Sequence, residues 1–301
     1  MPNDAAPASA PPRFRRMLPR LALLLLLFGV LSAILPGVTG AVGASVWALP
    51  IGVVAAALGL WAYRLAIRRI EGREPLELSR EGAAHGLGWG TAAGLGVFTA
   101  TIVVIAVFGG YRITGWGSFE AFLAVCGLMC AVAVAEELLF RGVLFRVVEE
   151  VTGTWGALAI SSALFGGLHL VNPNATPWGA LAIALEAGLM LGAAYVATRS
   201  LWLPIGLHLG WNTAQGGVFG TAVSGSEEAF AGLLAGETNG LTVISGGAFG
   251  PEGSVFAVLF CGAITVYLLR VAHRRGHIVP RRARRDRASE PSATPPGPRN
   301  V

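Results

Sequence analysis

The sequence predicts an all-α membrane protein, a polytopic bundle of about eight transmembrane helices. Hydrophobic residues make up 54% of the 301 residues. Charged residues make up only 13%, whereas a soluble domain carries about 25%. The mean hydropathy is +0.64, and long apolar stretches recur along the chain with arginines between alternate pairs of them. These observations indicate one large helical membrane domain.

Each predicted span is an apolar stretch near the length of about 20 residues that a helix needs to cross a bilayer. The first stretch could be a signal peptide, but we interpret it as uncleaved because seven more follow. Residues 1–17 are predicted to be a disordered cytoplasmic N-terminus, 18–272 the membrane domain, and 273–301 a basic disordered tail. The predicted spans are 18–37, 44–65, 85–109, 120–146, 155–171, 178–198, 202–220 and 254–272.

The arginines predict the orientation, because cytoplasmic loops of membrane proteins are enriched in basic residues. With a cytoplasmic N-terminus, the cytoplasmic side receives both terminal arginine clusters and the arginines of the 64–80 segment. The opposite side receives only Arg112. The 221–253 loop contains no arginine and is rich in Gly and Ser, so it is predicted to be external and flexible. We therefore expect a multi-pass protein of the plasma or inner membrane with both termini in the cytoplasm.

Acids, histidines and an asparagine interrupt the apolar spans. Glu136, Glu137 and Arg141 lie in the fourth span, and His169 lies in the fifth. The seventh contains His208 and Asn212. A charge at the centre of a membrane helix costs roughly 3 kcal/mol, so such residues usually have partners and a function. Glutamate, histidine and asparagine are the side chains that can activate water and stabilise an oxyanion.

Helix geometry predicts how some of these residues are arranged. A hairpin at Val151–Thr154 would place Glu136 and His169 at similar depth, since both lie equally far from that turn. Glu137 and Arg141 are spaced i, i+4 and can form an ion pair. Glu136 is rotated by about 100° from Glu137 and can point into the bundle.

Three further observations concern the seventh span, Glu186 and the aspartates. His208 and Asn212 are also four residues apart and share a helix face. For Glu186, in the sixth span, two interpretations stay open: it faces a water-filled cavity, or it hydrogen-bonds a neighbouring helix. The only aspartates, Asp4 and Asp286, lie in the terminal tails, which excludes an aspartyl dyad within the membrane.

The sequence resembles the CAAX protease and bacteriocin-processing enzyme family, also called the CPBP or ABI family. The motif Glu-Glu-x-x-x-Arg matches Glu136-Glu137…Arg141, Phe-x-x-x-His matches Phe165…His169, and His-x-x-x-Asn matches His208…Asn212. Any one motif is weak, but three in this order and spacing are specific. The resemblance covers about residues 120–215.

The resemblance implies a CAAX prenyl endopeptidase-like bundle that cleaves a membrane-associated peptide or protein. Glu136 and His169 would polarise water, and His208 and Asn212 would hold the oxyanion. Glu137 and Arg141 would support the helix. We favour a mechanism without a cofactor; a zinc-dependent version, with Glu136, His169 and His208 as ligands, is the alternative.

Functions of other classes also stay open. A proton- or ion-coupled transporter would use the membrane glutamates as carriers. A non-catalytic immunity or scaffold protein would not need all four of Glu136, His169, His208 and Asn212. The lipid bilayer is an expected partner, and no nucleic acid is expected.

Overall fold

The structure, a computed structural model, describes residues 13–227 and 232–281. Helices dominate this part of the chain, which confirms the predicted all-α membrane bundle. Six helical segments are long and apolar enough to cross a membrane. The longest of them, Phe119–Val171, has 53 residues and folds as a hairpin of two spans. Residues 202–218, shorter than these, form one further helical segment of α- and π-helix.

The helices follow the predicted spans to within a few residues, apart from the first. The helix α1 begins at Arg13, so residues 13–17, predicted to be disordered, are helical; no glycine or proline interrupts this segment. Residues 1–12 lie outside the described residues. The α-helices are α1 Arg13–Gly40, α2 Ala48–Ala66, α3 Ala83–Val107, α4 Phe119–Glu137, α5 Arg146–Leu168, α6 Pro177–Ile183, α7 Leu189–Thr198, α8 Trp202–Asn212, α9 Thr242–Ser245 and α10 Val255–Arg274.

The hairpin between the fourth and fifth spans turns at Gly153. This glycine has φ 72° and ψ 175°, a backbone conformation that side chains with a Cβ rarely adopt. Across the hairpin, the rings of Phe140 and Phe165 pack edge to face with centroids 4.8 Å apart. The turn lies within the predicted 151–154 segment, and it brings the two motif-bearing helices side by side.

Glycines allow α3 and α8 to pack with their backbones in contact. A Cβ on Gly94 would overlap the carbonyl oxygen of Leu207, and one on Gly210 would overlap that of Thr91. Small residues at such contacts are typical of helices that associate within membranes. This contact fixes the position of α8, which carries His208 and Asn212.

The loop predicted to be flexible has a defined fold over its described residues, 221–227 and 232–253. The strand β1, Tyr111–Trp116, pairs antiparallel with β2, Leu234–Thr238, in the only sheet of the described chain. Arg112 and Glu237 form an ion pair across it at 2.6 Å. The prediction of a flexible loop was wrong here, because β-pairing and the carboxylate of Glu252 satisfy backbone groups that a Gly-rich composition alone does not reveal.

The C-terminal tail, predicted to be disordered from residue 273, continues in an ordered form to residue 281. α10 extends to Arg274. The backbone N–H of Thr154 donates to the carbonyl of Val279 at 2.9 Å, and the N–H of Val279 donates to Oγ1 of Thr154 at 2.8 Å. Arg199 also donates to the carbonyl of His277. These bonds tie the tail to the α5 turn and to the end of α7; the rest of the tail, 282–301, lies outside the described residues.

Candidate functional site

A cavity of about 390 Å³ lies within the bundle. Its walls include the four residues predicted to be catalytic: Glu136, His169, His208 and Asn212. They come from α4, from the residue after the end of α5, and from α8. Glu137 and Arg141 do not line the cavity but lie directly behind it, 0% and 1% exposed.

Two π-helical segments contribute residues to the cavity wall, and a third begins directly after Asn212, a residue of that wall. The chain changes from α- to π-helix immediately after Glu137, at Leu138–Phe145, and immediately after Asn212, at Thr213–Val218. The remaining segment, Ala184–Gly188, contains Glu186. The π-helix is rare and frequently marks functional sites, because the extra residue in a turn redirects the side chains beside it.

Glu137 and Arg141 form the ion pair expected from their spacing. Arg141 Nη1 donates to Oε1 of Glu137 at 2.8 Å. Arg141 Nη2 donates to the carbonyls of Ala187 and Gly188 at 2.9 and 3.0 Å. The guanidinium also lies 4.8 Å from the ring centre of Phe165. Arg141 thus links α4 to the π-helical segment of the sixth span and to α5.

His208 lies between the two glutamates, a contact that the spacing did not predict. Its Nδ1 is 3.0 Å from Oε1 of Glu137, which is also bonded to Arg141. Because an ionised carboxylate only accepts hydrogen bonds, Nδ1 of His208 carries the proton there. Its Nε2 faces the cavity side, 3.8 Å from Oε2 of Glu136. Glu137 therefore orients the ring of His208 as well as pairing with Arg141.

His169 has a defined tautomer. Its Nδ1 lies 2.7 Å from the carbonyl oxygen of Phe165, one helical turn earlier. Since a carbonyl can only accept, Nδ1 is the donor, and in the neutral ring Nε2 keeps a free lone pair. The ring lines the cavity, so this nitrogen is available to accept a hydrogen bond from water.

Glu136 and Asn212 present polar groups to the cavity. The Glu136 side chain is 25% exposed, in contrast to its fully buried neighbour Glu137. Asn212 is 4% exposed and makes no side-chain hydrogen bond within the described residues. Its amide can therefore donate to a group that enters the cavity.

The loop between α8 and α10 contributes residues that the sequence did not predict. Glu252 and Ser224 of this loop line the cavity together with Asn172, which follows α5, and Trp211 of α8. Trp211 Nε1 donates to Oε1 of Glu252 at 2.9 Å, while the N–H and hydroxyl of Ser224 donate to Oε2 at 2.7 and 3.0 Å. No sequence signal marks these residues, because they lie in or against a loop whose composition indicates flexibility.

Glu136, His169 and His208, the ligands of the alternative zinc-dependent mechanism, do not form a metal site in this geometry. A zinc site needs three or four converging His, Cys, Asp or Glu side chains. Within 13–227 and 232–281, no three such side chains are arranged to hold a metal ion. The described residues thus show no preformed zinc site.

Comparison with known families adds to this geometry. Residues 118–214 match the family model described as type II CAAX prenyl endopeptidase Rce1-like. This segment resembles the Rce1-like family. The match confirms the resemblance predicted from the three motifs, and at the family level it supports a CAAX-type intramembrane endopeptidase. No curated protein and no solved structure matches the chain significantly.

The Rce1-like segment contains all seven residues of the three motifs, from Glu136 to Asn212. It ends before the loop that carries Ser224 and Glu252. The cavity is therefore built partly from the Rce1-like segment and partly from residues outside it.

Proposed function

We propose that this chain is an intramembrane endopeptidase that hydrolyses a peptide bond of a membrane-associated protein or peptide by a metal-free glutamate mechanism. The main observation is the convergence of Glu136, His169, His208 and Asn212 on one cavity. The Rce1-like match supports this proposal over a transporter or a scaffold. The volume of the cavity is in the range of small-molecule sites, about 300–1,000 Å³, and suits the residues around one scissile bond.

Glu136 acts as the general base. It is the one glutamate of the pair whose side chain is partly exposed, and no arginine pairs with it among the described residues. Water held by Nε2 of His169 loses its proton to Glu136, and its oxygen attacks the carbonyl carbon. As the C–N bond breaks, Glu136 returns the proton to the departing amine. The peptide bond and the water are thus converted into a carboxylic acid and an amine.

His208 and Asn212 stabilise the oxyanion. The side-chain amide of Asn212 is an uncommitted donor at the cavity wall. With a proton on each ring nitrogen, His208 donates from Nδ1 to Glu137 and from Nε2 to the oxyanion. Donors fixed before the reaction lower the barrier without reorganisation. Glu137 and Arg141 are positioning residues, because they hold His208 and the helix rather than the reacting atoms.

The test compares cleavage of membrane proteins by the wild type and by Glu136→Gln. We expect the variant to lose about 10²–10⁴-fold in turnover, as for removal of a general base, with unchanged thermal stability. Glu120→Gln, on the same helix but exposed and outside the cavity, is the matched control and should keep normal activity. Near-normal cleavage by Glu136→Gln would overturn the assignment; solute flux in proteoliposomes without cleavage would favour a transporter.

Metal dependence is tested on the same purified protein. Activity should survive exhaustive chelation, and the zinc content should be far below one per chain. Stoichiometric zinc that is lost together with activity in His169→Ala or His208→Ala would contradict the metal-free mechanism.

A further inference from the structure

Glu186 is a buried acid that the proposed mechanism does not use. It lines the cavity and is 1% exposed. Both of its carboxyl oxygens lack a hydrogen-bond partner in the described part of the chain. Arg141, which contacts the backbone of the same segment, donates to Glu137 and to the carbonyls of Ala187 and Gly188 and not to Glu186. The chain itself therefore supplies no counter-group for this carboxyl.

The neighbouring acid, Glu252, cannot serve as the partner. Trp211 and Ser224 together give its two oxygens three donors, which is the environment of an ionised carboxylate. An ionised carboxylate has no proton to donate to Glu186. The two acids interact electrostatically, and both line the cavity.

Among the described residues, the only cation of the cavity wall in the proposed mechanism is the protonated His208, which is paired with Glu137. No arginine lines the wall, and the chain contains no lysine. The other neighbours of Glu186 on the wall are mostly apolar, including Ile183, Met190 and Cys261. Two carboxyl oxygens without a partner beside a second acid complement a positively charged group with several N–H donors, and such a group would stabilise the ionised form of Glu186.

We propose that Glu186, with Glu252 beside it, forms a subsite for a cationic side chain of the bound peptide, an arginine or a lysine. A guanidinium would satisfy both free oxygens of Glu186 at once, since its planar donors match a carboxylate. The π-helical segment 184–188 presents the acid to the cavity, and Arg141 fixes this segment through its carbonyls. This inference rests on the proposed function, because the cationic side chain belongs to the peptide that the protein would cleave.

Binding is measured on Glu136→Gln protein, so that peptides are not cleaved during the titration. The probes are fluorescent apolar peptides in detergent micelles, with a single arginine at successive positions. A second series replaces that arginine by citrulline, its neutral isostere. At one position, arginine should bind about tenfold or more tightly than citrulline, as expected for a charge-assisted pair in a dry site. Equal affinities at every position would overturn the subsite.

The second comparison removes the acid. In the double variant Glu136→Gln/Glu186→Gln, the arginine peptide should bind only as tightly as the citrulline peptide. Glu150 is an exposed acid outside the cavity, so Glu150→Gln is the matched control. It should leave the difference in affinity between the arginine and citrulline peptides unchanged. If the folded Glu186→Gln protein still binds arginine peptides more tightly than citrulline peptides, a residue other than Glu186 recognises the arginine. If that variant does not fold, Glu252→Gln serves instead and should weaken the preference.

The outcomes separate the subsite from the proposed function. Cleavage of arginine and citrulline peptides by the wild type with the same KM would refute the subsite and leave the protease intact. Preferential binding of arginine peptides by a wild type that cleaves none of them would refute the protease and leave the subsite.

Discussion

Glu136 and Glu137 are adjacent in sequence but have different environments. The helix turns about 100° between them, so Glu136 faces the cavity while Glu137 is enclosed between Arg141 and His208. The carboxylate of Glu137 pairs with a cation and also orients an imidazole. Glu137 and Arg141 should therefore have separable effects when replaced.

Glu137→Gln and Arg141→Gln should both lower the free energy of unfolding by about 3–5 kcal/mol, because each leaves a buried charge unpaired. Only Glu137→Gln also removes the carboxylate that orients His208. The turnover per folded molecule should therefore fall further in Glu137→Gln than in Arg141→Gln. The measurement is cleavage rate alongside thermal unfolding in detergent. Equal turnover in the two variants would show that the contact with His208 has no positioning role.

Glu77 lies outside the membrane spans, and its environment should make the stability of the protein depend on pH. Burial alone would raise its pKa, but hydrogen bonds from Arg73 and Tyr63 outweigh this and hold the pKa below its ordinary value. A depressed folded-state pKa stabilises the protein above the unfolded pKa, about 4.3 for glutamate. This stabilisation is lost as the pH falls through the folded-state pKa.

The melting temperature of Glu77→Gln should thus lie several degrees, roughly 5 °C, below that of the wild type at neutral pH. The gap should close as the pH falls below about 4. Thermal unfolding of both proteins across this range checks the prediction. A gap that is independent of pH would mean that the charge of Glu77 contributes nothing.

Among individual residues, the sequence predicts local pairs better than distant ones. The Glu137–Arg141 pair follows from i, i+4 spacing, and the shared cavity of Glu136 and His169 follows from the position of the hairpin turn. The contact between His208 and Glu137 joins residues 71 positions apart, so no local pattern encodes it. Glu252 was missed for the same reason.

At the scale of helices, the sequence predicts the spans but not their internal irregularities. Apolar length determines where a helix crosses the membrane, so the predicted and observed bounds agree closely. The π-helical segments 138–145, 184–188 and 213–218 have no compositional signature. They depend on packing between helices, as in the contacts of Arg141 with the carbonyls of Ala187 and Gly188.

The glycine contact between α3 and α8 should be sensitive to a single methyl group. Gly94→Ala would place its Cβ against the carbonyl oxygen of Leu207, a backbone atom that cannot rotate away. We expect a loss of about 1–3 kcal/mol in stability, as for overpacking of a core. Since α8 carries His208 and Asn212, turnover should fall as well.

Gly96→Ala is the matched control on the same helix. A Cβ there has no neighbour within 4 Å, so the variant should be as stable as the wild type or slightly more stable, because alanine favours helix. The measurement is the thermal unfolding of both variants in detergent. Equal stability of Gly94→Ala and Gly96→Ala would contradict the close packing of α3 against α8.

Over the whole molecule, charged side chains that are distant in sequence meet in one cluster. Arg20 of α1 contacts Glu150 of α5 at 2.8 Å, and Arg146 contacts Glu71 at 2.6 Å. These contacts join the N-terminal segment, the 64–80 segment and the α4–α5 turn. The arginine pattern assigns all three to the same side of the membrane, and the cluster agrees with that grouping.

The arginine asymmetry predicts that this cluster and both termini are cytoplasmic, and that the 221–253 loop is external. Glu81 and Asn239 are exposed residues of the two opposite sides. In a background with Cys126, Cys130 and Cys261 replaced, single cysteines at these positions should differ in reaction with a membrane-impermeant thiol reagent on intact cells. Asn239→Cys should be labelled, and Glu81→Cys only after the cells are opened. The reverse labelling pattern would contradict the predicted orientation of the bundle. Ser224 and Glu252 would then reach the cavity from the cytoplasmic side.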